Sequence, residues 1–154
     1  MTTDYIVSSL PVLSFDAPAP LSWEDFVERT GDRFRGPDRS ATGRVWADLE
    51  TQLRNAMAEA RGGEKYKRPA DGCSVYWKNR VLACFQEKDP LKRETLLDRT
   101  WWDAAGEMTD PTAPLGAGAL LTYAIRLKIA LKRSKISTDA GNAAFDRLTA
   151  ETKR

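Results

Sequence analysis

Apolar residues crowd the stretch Tyr5 to Phe15, "YIVSSLPVLSF", where serines and a proline interrupt them. The stretch is too broken to span a membrane and too poor in charge for an ordinary surface loop. It is expected to be a short or non-helical anchor packed on the rest of the chain. Beyond it the period becomes helical. In "PLSWEDF" Ser22 suits an N-cap, and Leu21 and Phe26 are spaced as a hydrophobic staple. Trp23, Phe26, Val27 and Phe34 form the apolar side, and Gly31 keeps this helix short. From about Ser40 to Ala60, Val45, Leu49, Leu53 and Met57 recur every four residues. The glycine pair that ends this helix and the proline in "RGGEKYKRPADG" predict a flexible linker over 61–72.

A third helix is expected from about Cys73 to Gln86, with Cys73, Trp77, Val81 and Cys84 on one face. Asp89 as N-cap and Pro90 at the first position open a fourth. Its apolar side is Leu91, Leu97, Trp101 and Ala105, widened by Trp102 and Met108. A fifth runs from about Leu115 to Ser134 on the stripe Leu120, Leu121, Ala124, Leu127 and Leu131. Ser137 or Thr138 is placed to cap a last helix carrying Ala144, Phe145 and Leu148. No segment alternates with β-branched enrichment, so the expected fold is all-α: one domain, 1–154, a compact bundle of about six helices with the apolar N-terminal anchor.

Composition narrows the chemistry. The 154 residues include no histidine, which excludes Ser-His-Asp and Cys-His sites and any histidine metal ligand. The two cysteines, Cys73 and Cys84, would stand roughly 16 Å apart along one helix, too far for a disulfide, so a reduced, cytoplasmic protein is expected. With 24 basic against 22 acidic residues, the formal charge of +2 gives no polyelectrolyte basis for a nucleic-acid partner. No run approaches the roughly 20 apolar residues of a membrane helix. "LGAGALL" lacks the spacing, the preceding strand and the lysine of a phosphate loop, and reads as a helix start. No catalytic residue, cofactor or metal is expected.

Two charged stretches remain. In "TWWDAAGEM", Asp103 and Glu107 stand four residues apart, on one helix face, as a solvated acidic patch or a surface for a basic partner. Of Trp101 and Trp102 one belongs to the core, and Trp102, if exposed, would be an interface anchor. "RLKIALKRSK", Arg126 to Lys135, carries five basic residues on an amphipathic helix. Arg126, Lys132 and Arg133 are therefore further candidates for interaction, and their reversal is expected to leave the fold intact.

Three ordered blocks resemble a bacterial family encoded in V-type (A/V-type) ATP synthase operons. The first is "YIVSSLPVLSFDAPAPLSWEDFVE", similar to that family's opening segment at Tyr5, Val7, Ser9, Leu10, Pro11, Leu13 and Phe15. The second is "DPLKRETLLDRTWWDAAGEM", which matches at Asp89, Pro90, Leu91, Leu97, Asp98, Arg99, Trp102, Asp103 and Glu107. In the third, "LLTYAIRLKIALKRSKISTDAGNAAFDRL", Arg126 stands where lysine is usual. The region Arg44 to Asp71 is shorter than in that family. The family in turn resembles the helical C/d subunit of V-type ATPases. The resemblance implies a non-catalytic helical adaptor that binds V-type ATPase subunits, in the cytoplasm or peripherally at the inner face of the membrane. It also implies that Tyr5, Val7, Leu10, Leu13 and Phe15 are buried as a structural anchor. The alternative is a peripheral membrane or nucleic-acid-binding protein that uses the basic helix at 126–135.

Overall fold

A computed structural model describes residues 2–36 and 38–152, with side chains as far as Ile136. The described residues form six α-helices: α1 (Thr3–Ser9), α2 (Trp23–Arg29), α3 (Ala41–Ala60), α4 (Val75–Cys84), α5 (Pro90–Ala105) and α6 (Ala117–Thr152). Single 3₁₀ turns follow α3 at Glu64–Tyr66 and α5 at Gly106–Met108. No strand occurs among the described residues.

Short polar side chains start the helices by accepting hydrogen bonds from amides that have no intrahelical partner. Ser22 accepts from the Asp25 amide, Ser40 from Gly43, Ser74 from Trp77, and Asp89 from Leu91 with Pro90 next to it. At the end of α3, Gly62 has φ of +72°. Its amide and that of Gly63 turn back to the carbonyls of Glu59 and Ala58. This left-handed ending suits glycine because residues with a side chain rarely adopt that φ.

The centre of the bundle is made by Phe26, Leu53, Val81, Leu120 and Leu127, all fully buried or nearly so. The Phe26 ring lies 5.2–5.6 Å from those of Trp23, Phe34 and Tyr123, so α2 and the loop after it are fastened to α6. Gly118 passes so close to the Met108 carbonyl that a Cβ would overlap it, which seats the first turn of α6 on the turn after α5.

Several expectations are corrected. The anchor contains a short helix, α1, and Tyr5 is exposed, whereas Leu10 and Phe15 are buried and Val7 and Leu13 half-buried. Val45 and Leu91, near the starts of α3 and α5, also face solvent. Cys73 precedes α4 and is exposed, while Cys84 is buried, and both are free thiols. The two helices expected around 115–150 are one: nothing between Ile136 and Ala140 breaks the backbone, so Ser137 and Thr138 lie inside α6 rather than capping a new helix. The packing of Ala144, Phe145 and Leu148 lies outside the described residues.

The segment 61–72 is held to α3 rather than hanging as a loose linker. The Asn55 amide side chain exchanges two hydrogen bonds with the Arg68 backbone, at 2.7 and 2.8 Å. The Asp48 carboxylate accepts from the amides of Asp71 and Gly72, and these bonds hold it below the usual carboxylate range.

Candidate functional site at the α5–α6 seam

All six residues singled out for interaction gather around the seam where α5 meets α6, and each is engaged within the chain. Trp102 is 6% exposed. Its ring meets that of Phe15 edge-on at 5.6 Å, with Arg126 over it at 5.3 Å. The expectation of Trp102 as an exposed anchor is thereby corrected: it joins the N-terminal segment to α5. Trp101, its neighbour, is the half-buried one.

α5 ends at Ala105, so Asp103 lies in its last turn and Glu107 in the 3₁₀ turn that follows. Both carboxylates reach toward α4. Asp103 pairs with Arg80 at 2.9 Å and with Arg99 at 3.3 Å, and Glu107 accepts from the Trp77 indole N–H at 2.8 Å. The acidic side of α5 is thus where α4 docks.

The basic stripe of α6 is likewise drawn inward. Arg126 donates through Nε to the Trp102 carbonyl at 3.0 Å. Lys132 bridges Glu94 at 2.9 Å and Asp98 at 2.8 Å. Arg133 stands 3.6 Å from Asp98 and 4.0 Å above the Phe15 ring. Asp98 is the hub that sequence reasoning missed. It is 7% exposed, and the signal was present: it lies four residues before Trp102, a carboxylate on an otherwise apolar stripe.

This geometry replaces the expectation that charge reversal leaves the fold untouched. Lys132→Glu with Arg133→Glu would strand the buried Asp98 carboxylate among like charges. We predict a loss of about 1–3 kcal/mol, read by urea unfolding. A change below about 0.5 kcal/mol would mean that the ion pairs are merely superficial.

The N-terminal segment is clamped at its middle as well. The Tyr123 hydroxyl donates to the Pro11 carbonyl at 2.6 Å, and burial pushes its pKa from 10.0 up to about 12. The folded state therefore keeps this proton after the unfolded chain has lost it. The contribution of Tyr123 to stability should be constant below pH 10 and fall as pH rises from 10 toward about 12. Thermal melts across that range, compared with Tyr123→Phe, check it. The variant should lose part of the decline, and an identical decline would assign it elsewhere.

A groove of about 370 Å³ lies between α3, α5 and α6. Its floor is Met57, Leu97, Trp101 and Ile129, and its rim carries Arg54, Lys128 and Lys132 with Glu94 and Asp98. Trp101 is the large aromatic on this surface, and Lys128 is steadied by the Trp23 ring at 4.6 Å. No helix among the described residues is long and apolar enough to cross a membrane, and no group of three or more acidic or cysteine side chains among them could hold a metal ion. No family model matches the chain, and no curated protein or solved structure matches it.

Proposed function

We propose that the protein is a non-catalytic helical adaptor, and that its partners are subunits of a V-type ATPase. The observation that carries the adaptor reading is the α3–α5–α6 groove, an apolar floor with an aromatic anchor and a charged rim. That is the form of surface into which an amphipathic helix lays its apolar face. With Lys132 held by Glu94 and Asp98, Arg54 and Lys128 on the rim favour an incoming helix with an acidic flank. The choice of partner rests on the ordered resemblance of the three sequence blocks to the family of the V-type operons. The half-buried Trp101, rather than Trp102, is the aromatic that would contribute most to affinity.

The alternative reading, a basic helix directed at lipid or nucleic acid, loses support because Arg126, Lys132 and Arg133 are committed to partners inside the chain.

The test is capture of purified stalk and rotor subunits of the V-type ATPase from the same organism. A stoichiometric complex that persists through moderate salt is expected. No complex at low salt, together with binding to anionic vesicles or nucleic acid that salt abolishes, would overturn the proposal.

A further inference from the structure

A second cleft, of about 530 Å³, opens between the N-terminal segment and the seam. One wall is formed by residues 10–15, and the other by Arg99 and Trp102 of α5 with Tyr123 and Arg126 of α6. Unlike the groove, it has two guanidinium groups and no carboxylate among its lining residues.

The charge around it does not balance. Asp103 serves both Arg80 and Arg99, and it is also the carboxylate whose field reaches Arg126. Three guanidiniums thus share one carboxylate. Among the described residues Arg126 has no carboxylate at ion-pair distance. Its Nε is spent on the Trp102 carbonyl, which leaves its terminal nitrogens as donors. Burial presses its pKa below the ordinary value, the field of Asp103 opposes this, and the neighbouring Arg99 adds to it.

The backbone makes room for this head group. A Cβ at Gly106 would stand 2.8 Å from Arg126 Nη2. The hydroxyls along the cleft differ in what they can offer. Thr122 donates to the Ala105 carbonyl, so the Thr109 proton is directed to Thr122 and is not free. Ser14, an exposed residue, lines the opposite wall.

We propose that this cleft binds a phosphate group, with Arg126 as its principal ligand and Arg99 and Ser14 beside it. A guanidinium offers two parallel N–H donors to an oxyanion, and such bonds are strongest where the donor is already partly stripped of water. Arg126, with no carboxylate of its own, and Arg99, which shares Asp103 with Arg80, match a dianionic phosphate better than a single carboxylate. The proposal is independent of the adaptor reading, since it uses another cleft and another ligand.

The test follows the Arg126 Nε–H resonance of the full chain by NMR during titration with inorganic phosphate, then with phenyl phosphate, and with acetate for comparison. Saturable movement with phosphate and a weaker response to acetate are expected. Tighter binding of phenyl phosphate would assign a phosphate carried on a larger molecule, and equal binding the free ion. Arg126→Gln should weaken phosphate by about tenfold or more, and Arg126→Lys should restore part of the loss. Lys135→Gln, an exposed charge elsewhere on α6, should change nothing. No saturable movement in the wild-type chain overturns the proposal, whether or not the variants fold. So does an equal loss in the Arg126 and Lys135 variants, which would mean attraction to bulk charge.

Discussion

Replacing Trp102 with alanine is expected to cost about 3–5 kcal/mol of stability, because the indole is almost fully buried and the cavity it leaves cannot collapse. Three elements close on that ring. Phe15 meets its edge, Arg126 covers its face, and α5 holds its backbone, whose carbonyl accepts from the same arginine. Removing it leaves Phe15 without its aromatic partner and Arg126 without its lid. For a chain of this length the fall in melting temperature should be on the order of 10 °C. An exposed Trp102 would be a binding anchor, and its loss would lower affinity first. The structure predicts the reverse order: stability first, and affinity only through it. Calorimetry of the variant decides between them.

Deleting residues 1–15 should have an effect of similar size, about 3–6 kcal/mol. The segment buries Leu10 and Phe15, and half-buries Ile6, Val7 and Leu13 against the helices. Each large side chain taken fully out of water contributes roughly 1.5–3 kcal/mol. The deletion also removes the carbonyl that Tyr123 donates to, and uncovers the Trp102 edge. Because Phe15 and Trp102 touch, the two losses should not add. Phe15→Ala together with Trp102→Ala should cost less than the sum of the single changes, by about 0.5–1.5 kcal/mol. Urea unfolding of the four proteins measures this. Full additivity would mean that the two rings stabilise the chain independently, and that the segment is held by Leu10 and Tyr123 alone.

The fold was legible wherever local signals and burial agree. Ser22, Ser40 and Asp89 mark their helix starts by side-chain chemistry that acts within three residues, and the stripes through Leu53 and Leu127 carry the core. The errors arose where the deciding contact is distant in sequence. A Ser-Thr pair at 137–138 looks like a cap, but a cap needs a break before it, and none interrupts α6 there. The glycines and proline of 61–72 suggest slackness, yet Asp48 and Asn55, up to 24 residues away, hold that segment by hydrogen bonds. At the candidate site, the residue types were legible and their state was not. Composition offered an acidic face and a basic face as two surfaces for partners. Folding turns most of each inward, on Arg80 and Trp77 of α4, on Asp98, and on the Trp102 carbonyl. The groove went unseen because its floor draws on Met57, Trp101 and Ile129 from three helices, and no single stretch displays it.

The central claim is that a partner helix enters the α3–α5–α6 groove. The most direct measurement is the affinity of the captured V-type ATPase subunit for Met57→Glu, with Arg44→Glu as the control. Met57 is half-buried on the groove floor, while Arg44 is an exposed residue of the same helix that lies outside the groove. A carboxylate on the floor must be desolvated by any apolar helix that enters, so binding should weaken by about tenfold or more while the variant still folds. Arg44→Glu should bind as the wild type does. Undiminished affinity in a folded Met57→Glu protein would contradict the account and move the contact away from the groove.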